Sequence, residues 1–198
     1  MKTIKFIAVL AALSFSMSGM CQTPMKWTGK ASKEAIQEAK KMKKEGWQVP
    51  IGEPPLERQI DDAIRYRYDK DENNKSKYIS GQGQSHAENY DVARMQAEEL
   101  ARAAIARNSG SMVTSTVKNM LTNSQLAKDK ATSQSVIDAV INAVSDMNIG
   151  YTEVVVSAYR ELPDNNKEVQ IRLVAKSSDI QAGIENLTRA EMEKHGIK

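Results

Sequence analysis

The sequence predicts an α+β protein: an antiparallel or mixed sheet of about four strands with helices packed on one face, preceded by two N-terminal helices. Three observations carry this expectation. Val169, Ile171, Leu173 and Ala175 alternate with Gln170 and Arg172 behind the turn sequence Pro163-Asp164-Asn165-Asn166, the pattern of a β-hairpin. Residues 87–107 repeat alanine at helical spacing, which suits a helix lying close on a sheet. The elements then run α-α followed by β-α-β-α-β-β-α, with long helices crossing between strands.

The chain begins with a secretory leader over residues 1–21. Lys2 and Lys5 form its basic start, Phe6 to Phe15 is almost wholly apolar, and Ser16, Ser18 and Gly19 are small. The apolar stretch is too short to span a membrane. Two cleavage routes are open. A cut before Cys21 would lipidate its thiol, but Met20 is larger than the residue such a cut prefers. A cut after Cys21 places Gly19 and Cys21 at the small-residue positions and leaves Gln22 first, which fits better. Cys21 is the one cysteine of the chain. Its removal would exclude disulfides and leave stability to a packed core.

The following residues read as an N-terminal helical arm over 22–76 and an α+β domain over 77–198. Ser32 to Gly46 is a helix with Ser32 as N-cap, Gly46 as stop and Ala35, Ile36, Ala39 and Met42 as its stripe. Pro50, Gly52, Pro54 and Pro55 punctuate the link to a second helix, whose contacts are Leu56, Ile60, Ala63 and Ile64. Asp69 to Lys77 is a polar loop. Tyr78 to Ser85 is a strand whose Gly81 and Gly83 point to a bulge or close backbone packing. Ser85-His86-Ala87-Glu88 matches a capping box and opens the alanine-rich helix, with Tyr90, Ala93, Ala97, Leu100, Ala101, Ala104 and Ile105 on one face. Asn108-Ser109-Gly110 ends it. Met112 to Thr122 suits a strand or a helix, and its β-branched content favours the strand. Ser133 to Met147 is a helix broken by Gly150, Tyr151 to Glu161 and Glu168 to Ala175 make the hairpin, and Ser178, with Gln181 in the box position, caps a last helix.

Tyr78-Ile79-Ser80-Gly81-Gln82-Gly83, the alanine-rich helix Ala87 to Arg107 and the following hairpin resemble the twenty-kilodalton surface lipoprotein family of bacteria. The same stretch, roughly Lys77 to Ala175, is similar to the N-terminal domain of the flagellar T-ring assembly protein. Ala35 to Pro50, with Lys40-Lys41-Met42-Lys43-Lys44-Glu45-Gly46-Trp47, resembles a segment found in secreted proteins of anaerobic Gram-negative gut bacteria. The resemblance implies an exported protein of the periplasm or outer membrane and carries over no catalytic residue. The poor match around Cys21 departs from the lipid-anchored members.

Charge and chemistry narrow the function classes. The chain holds 28 Lys+Arg against 25 Asp+Glu, and two of the lysines lie in the leader, so the remainder is nearly neutral and gives no reason to expect nucleic acid. His86 and His195, the two histidines, lie too far apart in sequence for a local metal motif, and His86 suits the first turn of the capped helix. Asp69, Asp71, Glu72 and Asn73 begin like a calcium loop, but Asn74 stands where its glycine belongs and Ser80 where its last acid belongs. Gly81-Gln82-Gly83 lacks the Lys-Ser/Thr of a phosphate loop, and Ser109-Gly110-Ser111 lacks the nucleophile-elbow pattern. No catalytic, cofactor-binding or metal-ligating residue is expected. The one surface with functional promise is the basic face of the first helix: Lys33, Lys40, Lys41, Lys43 and Lys44 could meet anionic lipid or an acidic partner, tempered by Glu34, Glu38 and Glu45. The expectation is a non-enzymatic cell-envelope protein that binds an envelope protein or itself. The alternative is a periplasmic carrier with a small-ligand pocket between helices and sheet.

Overall fold

The structure is a computed structural model that describes residues 29–122, 130–146 and 152–196. The leader with Cys21, and Met147, Gly150 and Tyr151, lie outside the described residues. Residues 31–198 form one compact unit. It is α+β, with helices α1 (Lys33–Lys44), α2 (Leu56–Tyr68), α3 (Tyr90–Asn108), α4 (Gly110–Thr122), α5 (Lys130–Asp146) and α6 (Ser177–Lys194). Strands β1 (Tyr78–Ala87), β2 (Thr152–Glu161) and β3 (Lys167–Lys176) form one antiparallel sheet in the order β1-β3-β2.

β3 is the centre of the sheet and is buried along almost its whole length. Its odd residues Val169, Ile171, Leu173 and Ala175 share a hydrophobic cluster with residues of α3, α4, α5 and α6. Val174, on its other face, joins Val155, Val156 and Ala158 of β2 in a second cluster with Ala35, Ala39 and Met42 of α1 and Leu56, Ile60, Ala63 and Ile64 of α2. Helices therefore cover both faces of the sheet, not one as expected. Instead of preceding the α+β layers, α1 and α2 are one of those layers.

The sheet has three strands, not about four. The expected strand at Met112 to Thr122 is helix α4: Val113, Thr116, Val117 and Leu121 are the buried residues, at steps of three and four along a helical face. Burial of that face in the larger cluster overrides the local preference of Val and Thr for strands. The Val113 N–H donates to the Ser109 carbonyl, so α4 starts directly out of α3.

Two expected caps are also displaced. Ser85 and His86 lie within β1, and Asn89 caps α3 by accepting from the Asp91 N–H at 2.8 Å. Ser85 uses its hydroxyl as a donor to Gln96 Oε1 at 2.6 Å instead. Ser178 falls inside the first turn of α6; the N-cap position is Lys176, where β3 passes straight into the helix. At α1 the expected caps hold, and Ala35, Ala39 and Met42 of the expected stripe are buried, but Ile36 is exposed. Ser32 Oγ accepts from the Ala35 N–H, and Gly46 takes the left-handed φ of 87°. The Gly46 N–H then donates to the Lys43 carbonyl and the Trp47 N–H to the Met42 carbonyl, the two bonds of a Schellman turn.

Gly81 and Gly83 mark close packing, and the bulge is elsewhere, in β2 between Val154 and Val156. A side-chain carbon on Gly83 would overlap the Ala97 carbonyl oxygen and stand 2.6 Å from the Ala101 nitrogen. One on Gly81 would overlap the Ala101 carbonyl and stand 2.7 Å from the Ile105 nitrogen. The α3 side of the contact is equally small: Ala93, Ala97 and Ala101 are fully buried. These obstacles are backbone atoms that cannot swing aside. Gly83→Ala is therefore expected to cost about 3 kcal/mol or more in chemical denaturation. Gly110→Ala, at a helix start with nothing within 4 Å, should be neutral or slightly stabilising.

Candidate functional site

Burial of Ala35, Ala39 and Met42 turns the opposite side of α1 to solvent. Lys33, Lys40 and Lys44 are spaced by seven and four residues, so they line up on that outer face, with Lys41 beside them. Lys43 does not join them: its ammonium lies 2.5 Å from Glu57 on α2, and that contact holds the Glu57 carboxyl below its ordinary value. Glu38, counted as tempering the basic face, turns toward the sheet and meets Arg172 at 2.9 Å. The structure therefore keeps Lys33, Lys40, Lys41 and Lys44 together and leaves Glu34 and Glu45 as the acids of the exposed surface.

α1 is held firmly enough to present that face. Asp61 of α2, its side chain 5% exposed, accepts from the Ser32 N–H at 2.8 Å and from Arg65 at 2.7 Å. At the other end, Arg160 of β2 donates to the Glu45 carbonyl, lies 4.8 Å over the Trp47 ring and pairs with Glu168 at 2.6 Å. Between them, Arg172 reaches from β3 to Glu38 and to Gln82 Oε1 at 3.3 Å, while its Nη1 is buried with no partner.

Most of the residues set aside by the sequence reading make structural contacts. Asp71 Oδ1 accepts from the Asn73 and Lys75 N–H groups, closing a tight turn at Asn74 (φ 60°), and Asp69 pairs with Lys77. Ser109 is fully buried and donates to the Ala106 carbonyl. His195 caps the end of α6, and His86 is exposed on β1. Among the described residues no group of three or more His, Cys, Asp or Glu side chains is placed to hold a metal ion.

A second surface was missed: the outer edge of the sheet at β1. The two edges of the sheet are treated differently. At β2, Gln48 forms an antiparallel bridge with Tyr159 through two backbone bonds of 2.7 and 2.8 Å. The Ser157 N–H donates to Gln59 Oε1 at 2.7 Å, and a bulge twists the strand. Those outward groups of Tyr159 fix the alternation across the sheet. Tyr159 faces Val169, which must then point its backbone groups toward Ser85. Ser80, Gln82, Gln84 and His86 consequently turn theirs outward. Asn108 meets the Ser80 carbonyl at 2.7 Å; among the described residues, no bond covers those of Gln82, Gln84 and His86. The signal was present in the sequence: ten residues from Tyr78 to Ala87 without Lys, Arg, Asp, Glu or Pro.

No family model matches the chain, and neither a curated protein nor a solved structure matches it.

The buried Asp61 carboxylate sets a pH test. Burial pushes its pKa up, but the bonds from Ser32 and Arg65 outweigh that and hold it below the ordinary 3.8. A carboxyl lowered in the folded state stabilises fully above its unfolded value, and the contribution disappears as pH falls through the folded one. Asp61→Asn is expected to lose about 1–2 kcal/mol at neutral pH. In denaturant titrations the gap between the two proteins should close as pH drops below 3.8.

Proposed function

We propose that this chain is an exported, non-enzymatic protein of the cell envelope that works as a protein-binding or self-assembling module. The observation that carries the reading is the contrast between the sheet edges. One is closed by a bridge, an amide cap and a bulge; the other is a regular, uncharged strand with outward backbone groups. Proteins that have no use for an open edge protect it with charge, proline or irregularity. The leader at residues 1–21 and the resemblance to the surface lipoproteins supply the envelope part of the proposal. The aligned Lys33, Lys40 and Lys44 add peripheral contact with an anionic membrane surface.

Cross-linking in intact cells, followed by capture of the chain and mass spectrometry of its N-terminus, tests the whole reading. The expected result is a second copy or a defined envelope protein, on a chain that starts at Cys21 with lipid or at Gln22 without it. Recovery of the chain alone, with no protein attached, would overturn the module reading. The membrane contact has its own measurement. Vesicles rich in anionic lipid should bind the protein in low salt, and the triple change Lys33→Glu, Lys40→Glu, Lys44→Glu should weaken that binding at least about tenfold. Neutral vesicles should bind neither.

A further inference from the structure

The geometry points to a second copy of this chain as the occupant of the β1 edge. In this arrangement, which rests on the self-assembling reading above, two β1 strands pair antiparallel about a two-fold axis at Gln84, and two three-stranded sheets become one of six.

The register follows from which groups remain open. Hydrogen-bonded pairs across the new seam must join residues whose backbone groups point outward on both copies. The unbroken run of such residues is Gln82, Gln84 and His86; Tyr78 has the same parity but is separated from them by Ser80, whose carbonyl is met by Asn108. Centring the axis on Gln84 satisfies all three: Gln84 faces itself, and Gln82 of one copy faces His86 of the other. No other axis position pairs the three among themselves.

Three features favour a copy of itself over another partner. β1 holds no Lys, Arg, Asp or Glu, so antiparallel self-pairing opposes none of these charged side chains across the strands. α3 runs along the strand, with Gln96 bonded to Ser85, Leu100 beside Gly83 and Asn108 on Ser80. Leu100 is 46% exposed there, an apolar side chain next to the seam that its own copy would cover. The ends of α3 are also complementary. Glu88 and Asp91 are exposed near its start and Arg107 near its end, and the two-fold axis sets the basic end of one helix beside the acidic end of the other. Closure by a two-fold also consumes both open edges, so the assembly stops at two.

The experiment uses the full chain with Cys21→Ser, so that an introduced thiol is the only one. Gln84→Cys should give a disulfide-linked dimer under mild oxidation, because a hydrogen-bonded antiparallel pair sets Cα atoms about 5.5 Å apart, within disulfide reach. Ile51→Cys, fully exposed in the loop beyond the Gln48 bridge on the β2 side, should not cross-link. Sedimentation of the unoxidised parent should show a concentration-dependent dimer. Gln84→Pro removes an outward N–H that the intramolecular sheet does not use. It should retain the far-ultraviolet circular dichroism of the parent and weaken the dimer at least tenfold. A parent that sediments as a monomer at every concentration overturns the inference. A dimer that Gln84→Pro leaves unchanged and Gln84→Cys fails to trap overturns it too, while leaving self-assembly standing through another surface. The module reading itself falls only if cell capture returns no protein at all.

Discussion

The closeness of α3 to β1 is the constraint on which the rest of the structure depends. Gly81 and Gly83 have no side chains, and Ala97 and Ala101 have almost none, so helix backbone and strand backbone meet directly. That contact fixes the height of α3 above the sheet and its register along β1. The larger cluster, from Ile105 through Val117, Val140 and Ile184 to the odd residues of β3, is built around a helix already placed. Large side chains fill the spaces beyond it, where small adjustments are affordable, while the contact at Gly81 and Gly83 is closed chiefly by backbone, with Ile105 and Leu100 at its margin.

The opposite face of the sheet is held by a different means. Its cluster is smaller and is fastened by polar contacts: Asp61 on Ser32, Gln59 on Ser157 and Pro54, Arg172 on Glu38, and Arg160 on the end of α1. All but the local Gln59–Pro54 bond join an N-terminal element to another element of the same face. The α1-α2 layer thus owes its orientation to directional bonds as much as to apolar area, which suits a layer whose outer side presents charge. It also explains why the chain between the two helices is rich in proline and carries a glycine at φ 91°: the link must leave the Schellman turn, run beside β2 for one bridge and turn back within a few residues.

Much of this was legible in the sequence, and the failures have a common cause. The hairpin, α1 with both its caps, the stripe of α2 and the tight seat of α3 all rest on short-range patterns: alternation, cap residues, glycine facing alanine. Met112 to Thr122 failed because its valines and threonines satisfy two periods at once, and only the neighbouring helices decide between them. Ser85 failed because a serine three residues before a glutamate reads the same in a strand as at a helix start. The placing of all helices on one face failed because Gln170 and Arg172 look solvent-facing, yet each is 8% exposed beneath the N-terminal helices. Of the candidate site, four of the five lysines stay together, and the loss of Lys43 to Glu57 required knowing that α1 and α2 touch. The open edge of β1 was written in its composition, but which of its backbone groups face outward depends on the alternation set by Tyr159, across the sheet.

The position of β3 in the chain has a consequence for how the protein comes into being. The strand that every other layer leans on lies at residues 167–176, far along the chain, and β1 must wait for it across three helices. Until β3 has been synthesised, β1 has no strand to pair with and α3 has only half of its bed. Non-local pairing of this kind is slow, because the loop must close before the contacts that reward closure exist. A nascent chain therefore stays open until its last quarter is made. That delay harms a protein that folds beside the ribosome; for one that must thread a membrane channel before folding, it keeps the thread loose.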